Sequence, residues 1–293
     1  MYVCGGVIAN SVLGVGGFGR VDLVYAPQHQ KQWALKAISK AAVLQSKQEV
    51  YVQSEREIMA GLDSPFCTRL VATFKDDCYF YLLSEALLGG ELWRHLKLGG
   101  PLAEDHARFY CACVLEGLAY LHHRHILYRD LKPENVMLDA RGYVKLVDFG
   151  FARHLPGNKK TWTFCGTPEY MAPEIIMNQG HDQTCDYWAF GIFIYELLTS
   201  RTPFQHADPM QVYNKIVLGV DQIHCSPRLG CDAKDLVYRL CRDVNADRLG
   251  TGIEGIMHIK HHIWFARVDW ASLAQQCIPP PFVPDISKDD PTR

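Results

Sequence analysis

Three short stretches hold the residues whose types and spacing suit them to chemistry: LGVGGFGRV (Leu13–Val21), the lysine of Ala34-Leu35-Lys36, and YRDLKPEN (Tyr128–Asn135) with Asp148 beyond it. Glycine weakens a helix or strand interior by roughly 0.5–1 kcal/mol, so four glycines in nine residues need a purpose. A loose turn, a strand pair bent over a ligand and a nucleotide-binding loop are the alternatives. Gly14, Gly16 and Gly19 have the G-x-G-x-x-G spacing, but they lie between apparent strands. A dinucleotide fingerprint needs a helix N-terminus after the loop. No Gly-Lys-Ser/Thr follows, so the Walker A pattern fails as well. In isolation Lys36 reads as a solvated strand lysine, and each charge of YRDLKPEN as a surface salt bridge.

These residues need elements to position them. VDLVY (Val21–Tyr25), WALKAI (Trp33–Ile38) and YFYLL (Tyr79–Leu83) read as strands, the first two joined by a turn at Pro27 and the third entered from Asp76-Asp77. One helical pattern interrupts them over about 48–62, with Val52, Ile58, Met59 and Leu62 facing inward. After Gly89-Gly90 helical patterns dominate, over Glu104–His123, Asp186–Leu198, Pro209–Leu218 and Lys234–Cys241. The stretch after Cys277 is rich in proline and charge and reads as an extended tail. The expectation is an α+β, bilobal chain: a small β-rich lobe (1–86), a hinge (87–90), a large helical lobe (91–270) and a tail (271–293).

The 293 residues, 48% of them hydrophobic, suffice for a substantial core, and a net charge of −2 gives no sign of a nucleic-acid or membrane-surface partner. Eleven cysteines are scattered from Cys4 to Cys277. Cys111 and Cys113 are too close for zinc spacing, and Cys225 with Cys231 lacks a second pair, so reduced thiols in a cytoplasmic protein are expected. No targeting signal is read: a basic n-region and cleavage site are missing, and Tyr2 excludes N-myristoylation. The longest apolar run, from Tyr187, contains Glu196 and is too short to span a bilayer; a buried helix is expected.

YRDLKPEN resembles the catalytic loop of the protein kinases, with Tyr128 in place of the commoner His. Asp148-Phe149-Gly150 follows as DFG and Ala172-Pro173-Glu174 as APE. With the glycine loop and Lys36 these make five motifs in family order, and the chain is identified as a member of the eukaryotic protein kinases from about Leu13 to Pro284. The resemblance implies ATP and Mg2+ as the reacting pair. It places Leu13, Gly14, Val15, Gly16, Gly17, Phe18, Gly19, Val21, Ala34, Lys36, Ser84, Glu85, Leu87 and Glu91 around ATP. It implies that Lys36 reaches the α- and β-phosphates and that Glu55 is its partner, with Glu57 as competitor. Asp148 and Asn135 would hold magnesium, Asp130 would act as base or orienting carboxylate, and Lys132 would neutralise the γ-phosphate. No expected catalytic position is lost, which argues against an inactive nucleotide-binding scaffold. A nicotinamide-binding oxidoreductase explains only the glycines.

KKTWTFCGTPEYMAPE (Lys159–Glu174) resembles the activation segment of the AGC group. With LGVGGFGRV, ALLGGELWRHL and LCRDVNADRLG it looks most similar to the cGMP-dependent kinases, the cAMP-dependent type being the runner-up. By resemblance Thr163 is a phosphorylation site, and Lys160 three residues before it makes self-phosphorylation plausible. Arg129, beside Asp130, is its natural clamp, with Arg153 as the second candidate. Thr167 would brace Asp130, Glu174 and Arg248 would pair, and Asp186 would anchor the catalytic loop. Glu91, Glu134 and Glu196 would line a groove for Ser/Thr substrates with upstream Arg or Lys, and Phe164, Pro168 and Met171 would form an apolar pocket for the residue after the acceptor. Two departures stand out. Ser84 occupies a position behind the adenine where relatives carry a larger residue. The tail stops short of the acidic-aromatic segment of the family, and no cyclic-nucleotide domain precedes the glycine loop, so two expectations stand: a catalytic fragment, or control by a regulatory chain or domain supplied in trans.

Overall fold

The computed structural model describes residues 8–16, 19–27, 30–157, 159–220 and 226–285. Gly17, Phe18 and the tail beyond 285, to which the sequence assigns roles, lie outside them. The first part is a five-stranded antiparallel sheet in the order β1-β2-β3-β5-β4, built from β1 (Ile8–Gly16), β2 (Gly19–Ala26), β3 (Lys31–Ser39), β4 (Leu70–Lys75) and β5 (Tyr79–Glu85). Helices α1 (Lys40–Ser46) and α2 (Glu49–Ala60) separate β3 from β4. The Ser39 hydroxyl caps α1, accepting from the Ala42 amide. Helix α2 buries Ile58 and Met59, two of the inward positions read from the 3.6-residue period.

Helices dominate after Gly90: α3 (Leu92–Gly99), α4 (Glu104–His123), α5 (Pro173–Ile176), α6 (Thr184–Thr199), α7 (Pro209–Val217), α8 (Cys231–Leu240), α9 (Ile256–Lys260) and α10 (Trp270–Ala274). Two small ribbons, β6 (Ile126–Leu127) with β9 (Arg153–His154) and β7 (Val136–Leu138) with β8 (Val144–Leu146), carry the polar loops between α4 and α5. The apolar run from Tyr187 is α6, buried along nearly its whole length; Trp188, Phe190 and Phe193 are fully enclosed, and Phe190 stacks on Phe265. Among the described residues no helix is long and apolar enough to cross a membrane, and the cysteines are free thiols. The strands and long helices lie where the sequence places them to within a few residues. β4, α1 and α3 have no counterpart in that reading because each is short: six, seven and eight residues, too few for a period to stand out.

Candidate active site

The β1–β2 hairpin closes on the pair Gly16 and Gly19. A Cβ on Gly19 would stand 1.7 Å from the Ala37 carbonyl oxygen of β3, so this glycine is required for the strands to approach. Nothing lies within 4 Å of a Cβ built on Gly14, and Val15 beside it is 82% exposed. The hairpin therefore presents bare backbone to open space next to Lys36.

Lys36 stands in β3 between Val21 of β2 and Leu82 of β5. Its Nζ donates to Glu55 Oε1 at 2.7 Å and to Asp148 Oδ1 at 3.2 Å. Glu55 faces inward from α2 at 4% exposure. Glu57 points outward and accepts from Gln53, as positions two apart on a helix must diverge. Burial works against the Lys36 ammonium, but the two carboxylates outweigh it and hold its pKa above the ordinary lysine value. Burial pushes Asp148 up; Lys36 and the Gly150 amide overcome that and hold it below the usual carboxylate range. Asp148 has φ +54°, in the left-handed region.

Asp130 is held on every side. Its Oδ1 accepts from Thr167 Oγ1 at 2.8 Å and its Oδ2 from Asn135 Nδ2 at 2.7 Å, while Lys132 Nζ lies 3.0 Å from Oδ2. Lys132 also donates to Thr167 Oγ1 at 2.8 Å. The loop backbone is pinned from α6, where Asp186 accepts from the amides of Tyr128 (3.0 Å) and Arg129 (2.7 Å) and from His122 Nε2 (2.7 Å). Arg129 has φ +68°, a conformation costly for a residue with a Cβ and sustained by those bonds. The Tyr128 hydroxyl donates to the Val147 carbonyl and its ring meets Phe149 edge-on at 5.5 Å, which ties the loop to the Asp148 turn.

The connection to the sheet begins at Ser84, which pairs with Ala34 across the strands. Glu85 accepts from Lys145 at 2.7 and 2.9 Å and from the Arg69 amide. Leu87 is buried, and Glu91 precedes α3. Burial and Glu134 raise the Glu91 pKa. Glu196 is pushed up to about 8 by burial, Glu134 and Glu169, and its Oε2 is buried with no hydrogen-bond partner. Glu134 is thus the common neighbour of Glu91 and Glu196.

In the segment before APE, Arg153 Nη1 donates to the hydroxyls of Thr161 (3.1 Å) and Thr163 (3.3 Å). Arg129 turns its Nε to the Phe151 carbonyl at 2.7 Å and leaves Nη1 buried without a partner. Phe164 is exposed against Tyr213, Pro168 is half-buried, and Met171 belongs to the core below Gly166. Cys165 is buried, and burial raises its thiol, which suits a plain small residue. Glu174 and Arg248 form a two-bond pair at 2.7 and 2.9 Å, both nearly excluded from solvent. Lys145, Glu169, His122 and His181 were not singled out by the sequence. Each owes its place to a contact distant in the chain. His181 is buried, its pKa lowered to about 4 by burial and then by Arg129.

Among the described residues no group of three or more His, Cys, Asp or Glu converges as a metal cage. Asp148 and Asn135 offer one carboxylate and one amide, and the Asn135 nitrogen is committed to Asp130, which leaves its oxygen as the ligand atom. A sparse all-oxygen set fits a hard cation that shares its remaining positions with phosphate and water.

A family model described as protein kinase domain matches residues 8–265. The cGMP-dependent protein kinase, isozyme 1, of Drosophila melanogaster is 52% identical over 280 residues, covering 94% of this chain and 36% of that protein. cGMP-dependent protein kinase egl-4 of Caenorhabditis elegans is 50% identical over 279 residues, with the same coverage. Human cGMP-dependent protein kinase 2 is 48% identical over 271 residues, covering 92% of this chain and 36% of its own length. The chain thus spans about a third of the length of the curated relatives it matches.

Proposed function

The chain belongs to the protein kinase domain family, and from that premise we propose that it transfers the γ-phosphate of ATP to Ser or Thr in sites preceded by Arg or Lys. Members of this family use ATP with Mg2+. The observation that carries the proposal is the Lys36–Glu55–Asp148 chain, which joins the sheet, α2 and the Asp148 turn in a single charged contact. Phosphoryl transfer asks the protein for positioning and charge neutralisation rather than covalent chemistry. Lys36, kept charged, binds the α- and β-phosphates under the bare backbone of Gly14 and Gly16. Asp148 and Asn135 would hold magnesium, which would supply neutralisation of the phosphate charge when bound. Asp130 orients the acceptor hydroxyl and takes up its proton. Lys132, already at Asp130 and Thr167, meets the γ-phosphate. The acceptor peptide lies along Glu91, Glu134 and Glu196, whose clustered carboxylates suit a guanidinium, with Phe164 and Pro168 beside the residue after the acceptor.

Transfer of labelled γ-phosphate from Mg-ATP to an Arg-Arg-x-Ser peptide, with Asp148→Ala as control, tests the proposal. Transfer by the wild type that is lost in the variant is the expected result. Equal transfer to a peptide with Ala in place of both arginines would overturn the basic-site assignment. No transfer with retained Mg-ATP binding would support a scaffold instead.

A further inference from the structure

The segment joining the sheet to the helical lobe is held at both ends. At its start Glu85 is fixed by Lys145 and the Arg69 amide. Its far end is held differently. His95, half-buried on α3, has its Nε2 3.0 Å from the Gly89 carbonyl oxygen. A carbonyl only accepts, so the imidazole carries a proton on Nε2. The ring is covered by Phe282, centroid to centroid 5.0 Å. Phe282 belongs to the stretch after α10, which crosses the β7–β8 turn. There the Tyr143 hydroxyl donates to the Ile278 carbonyl and Arg141 to the Gln276 side chain.

Two glycines make room for this stretch. A Cβ on Gly142, whose φ is +93°, would stand 2.0 Å from the Phe282 carbonyl oxygen. A Cβ on Gly89 would stand 2.7 Å from Pro284 and 2.6 Å from Leu138. Pro284 is buried. Gly89 is therefore gripped by the Leu138 carbonyl on its amide (3.0 Å), by His95 on its carbonyl and by Pro284 at its Cα.

We propose that His95 and Phe282 form a clasp on the Gly89 peptide, and so act as positioning residues for nucleotide binding although neither touches the reacting atoms. The proposal rests on the kinase reading. A glycine peptide has more freedom to rotate than any other. Its orientation sets the backbone that leads from Leu87 to Glu91, positions assigned to ATP. The clasp removes that freedom before nucleotide arrives, and pre-ordering of this kind lowers the cost of binding.

His95→Ala, Phe282→Ala, the double variant and His95→Gln test the clasp. In His95→Ala the Kd and KM for Mg-ATP rise about three- to tenfold, the scale of one lost hydrogen bond, while kcat stays within about twofold. Phe282→Ala has a smaller effect of the same kind, and the double variant is little worse than His95→Ala. His95→Gln, whose amide still donates, recovers part of the loss. Hydrogen exchange supplies a readout independent of activity: the amides of 86–90 and of Phe282 and Val283 exchange faster in His95→Ala. Unchanged exchange, or faster exchange with unchanged nucleotide affinity, would overturn the proposal. Absence of Mg-ATP binding by the wild type would overturn the kinase reading itself. Normal wild-type binding matched by His95→Ala overturns only the clasp. Should His95→Ala fail to fold, Phe282→Ala and His95→Gln decide the question by the same readouts.

Discussion

The catalytic loop and the acidic groove use the same residue type to opposite ends. Asp130 is buried, and both its oxygens are bonded by groups of its own chain. Glu196 is mostly buried too, yet its Oε2 has no partner and its nearest charges are other carboxylates. A buried polar atom left unpaired costs about 1–3 kcal/mol. The loop avoids that cost and is rigid before substrate binds. The groove carries the cost at Glu196 Oε2. On the proposed function, the difference separates a preorganised centre from a recognition site: the first would be complete without its substrate and the second would not.

The sharpest way to break the comparison is Asp130→Asn. The new amide nitrogen would face donors at Asn135 or Lys132, and the proton acceptor is gone. A fall in kcat of about 10²–10⁴ is expected, with the fold retained by circular dichroism. Next in size is Glu174→Ala, which strands the Arg248 guanidinium at 2% exposure. A loss of about 3–5 kcal/mol follows from an unpaired buried charge, read from the urea midpoint.

The groove is tested through pH. With Glu196 held at about 8, the carboxylate is largely protonated at neutral pH, whereas an arginine substrate binds the charged form. KM for an Arg-Arg-x-Ser peptide should therefore fall as pH rises toward about 8. Glu196→Gln should flatten that profile and raise KM about tenfold above pH 8. The stability linkage has the opposite sense. Because the folded pKa lies above the ordinary 4.5, this group's contribution is full below 4.5 and is lost as pH rises through about 8. Glu196→Gln should thus raise Tm at pH 8.5 relative to the wild type. A peptide KM independent of pH between 6 and 8.5 would place the groove with the loop, as a site already satisfied.

Smaller effects are expected at the edges of both regions. Arg153→Ala removes contacts to two neutral hydroxyls and should shift the stability of the unphosphorylated chain by less than about 0.5 kcal/mol. The same variant should blunt activation once Thr163 carries phosphate, because the guanidinium that meets the Thr163 hydroxyl is then missing from the dianion. Comparing phosphorylated and unphosphorylated forms of both proteins separates the two effects. Ser84→Met should change little with ATP itself, while lowering affinity for ATP analogues with a bulky aromatic substituent.

The residues gathered at the candidate centre were legible in the sequence because they come in short contiguous runs, YRDLKPEN and DFG, whose spacing the local backbone enforces. The long elements were legible because their apolar periodicity is strong; α6, buried nearly all round, stood out as a continuous run. The groove was legible only in part. Glu91, Glu134 and Glu196 were named by resemblance, but Glu169, which completes the repulsive cluster, carries no signal of its own. Lys145, His95 and Phe282, which secure the connecting segment, were equally silent.

The identity and order of the candidate site's side chains, and the helix and strand periods that carry them, follow from the order of residues, since these depend on neighbours in the chain. Folding settles which members of a set meet. It paired Lys36 with Glu55 rather than Glu57, set Arg153 rather than Arg129 on the Thr163 hydroxyl, and left one carboxylate oxygen of Glu196 unpaired. The two pairings join groups 19 and 10 residues apart, where distance and desolvation, not sequence spacing, set the energy.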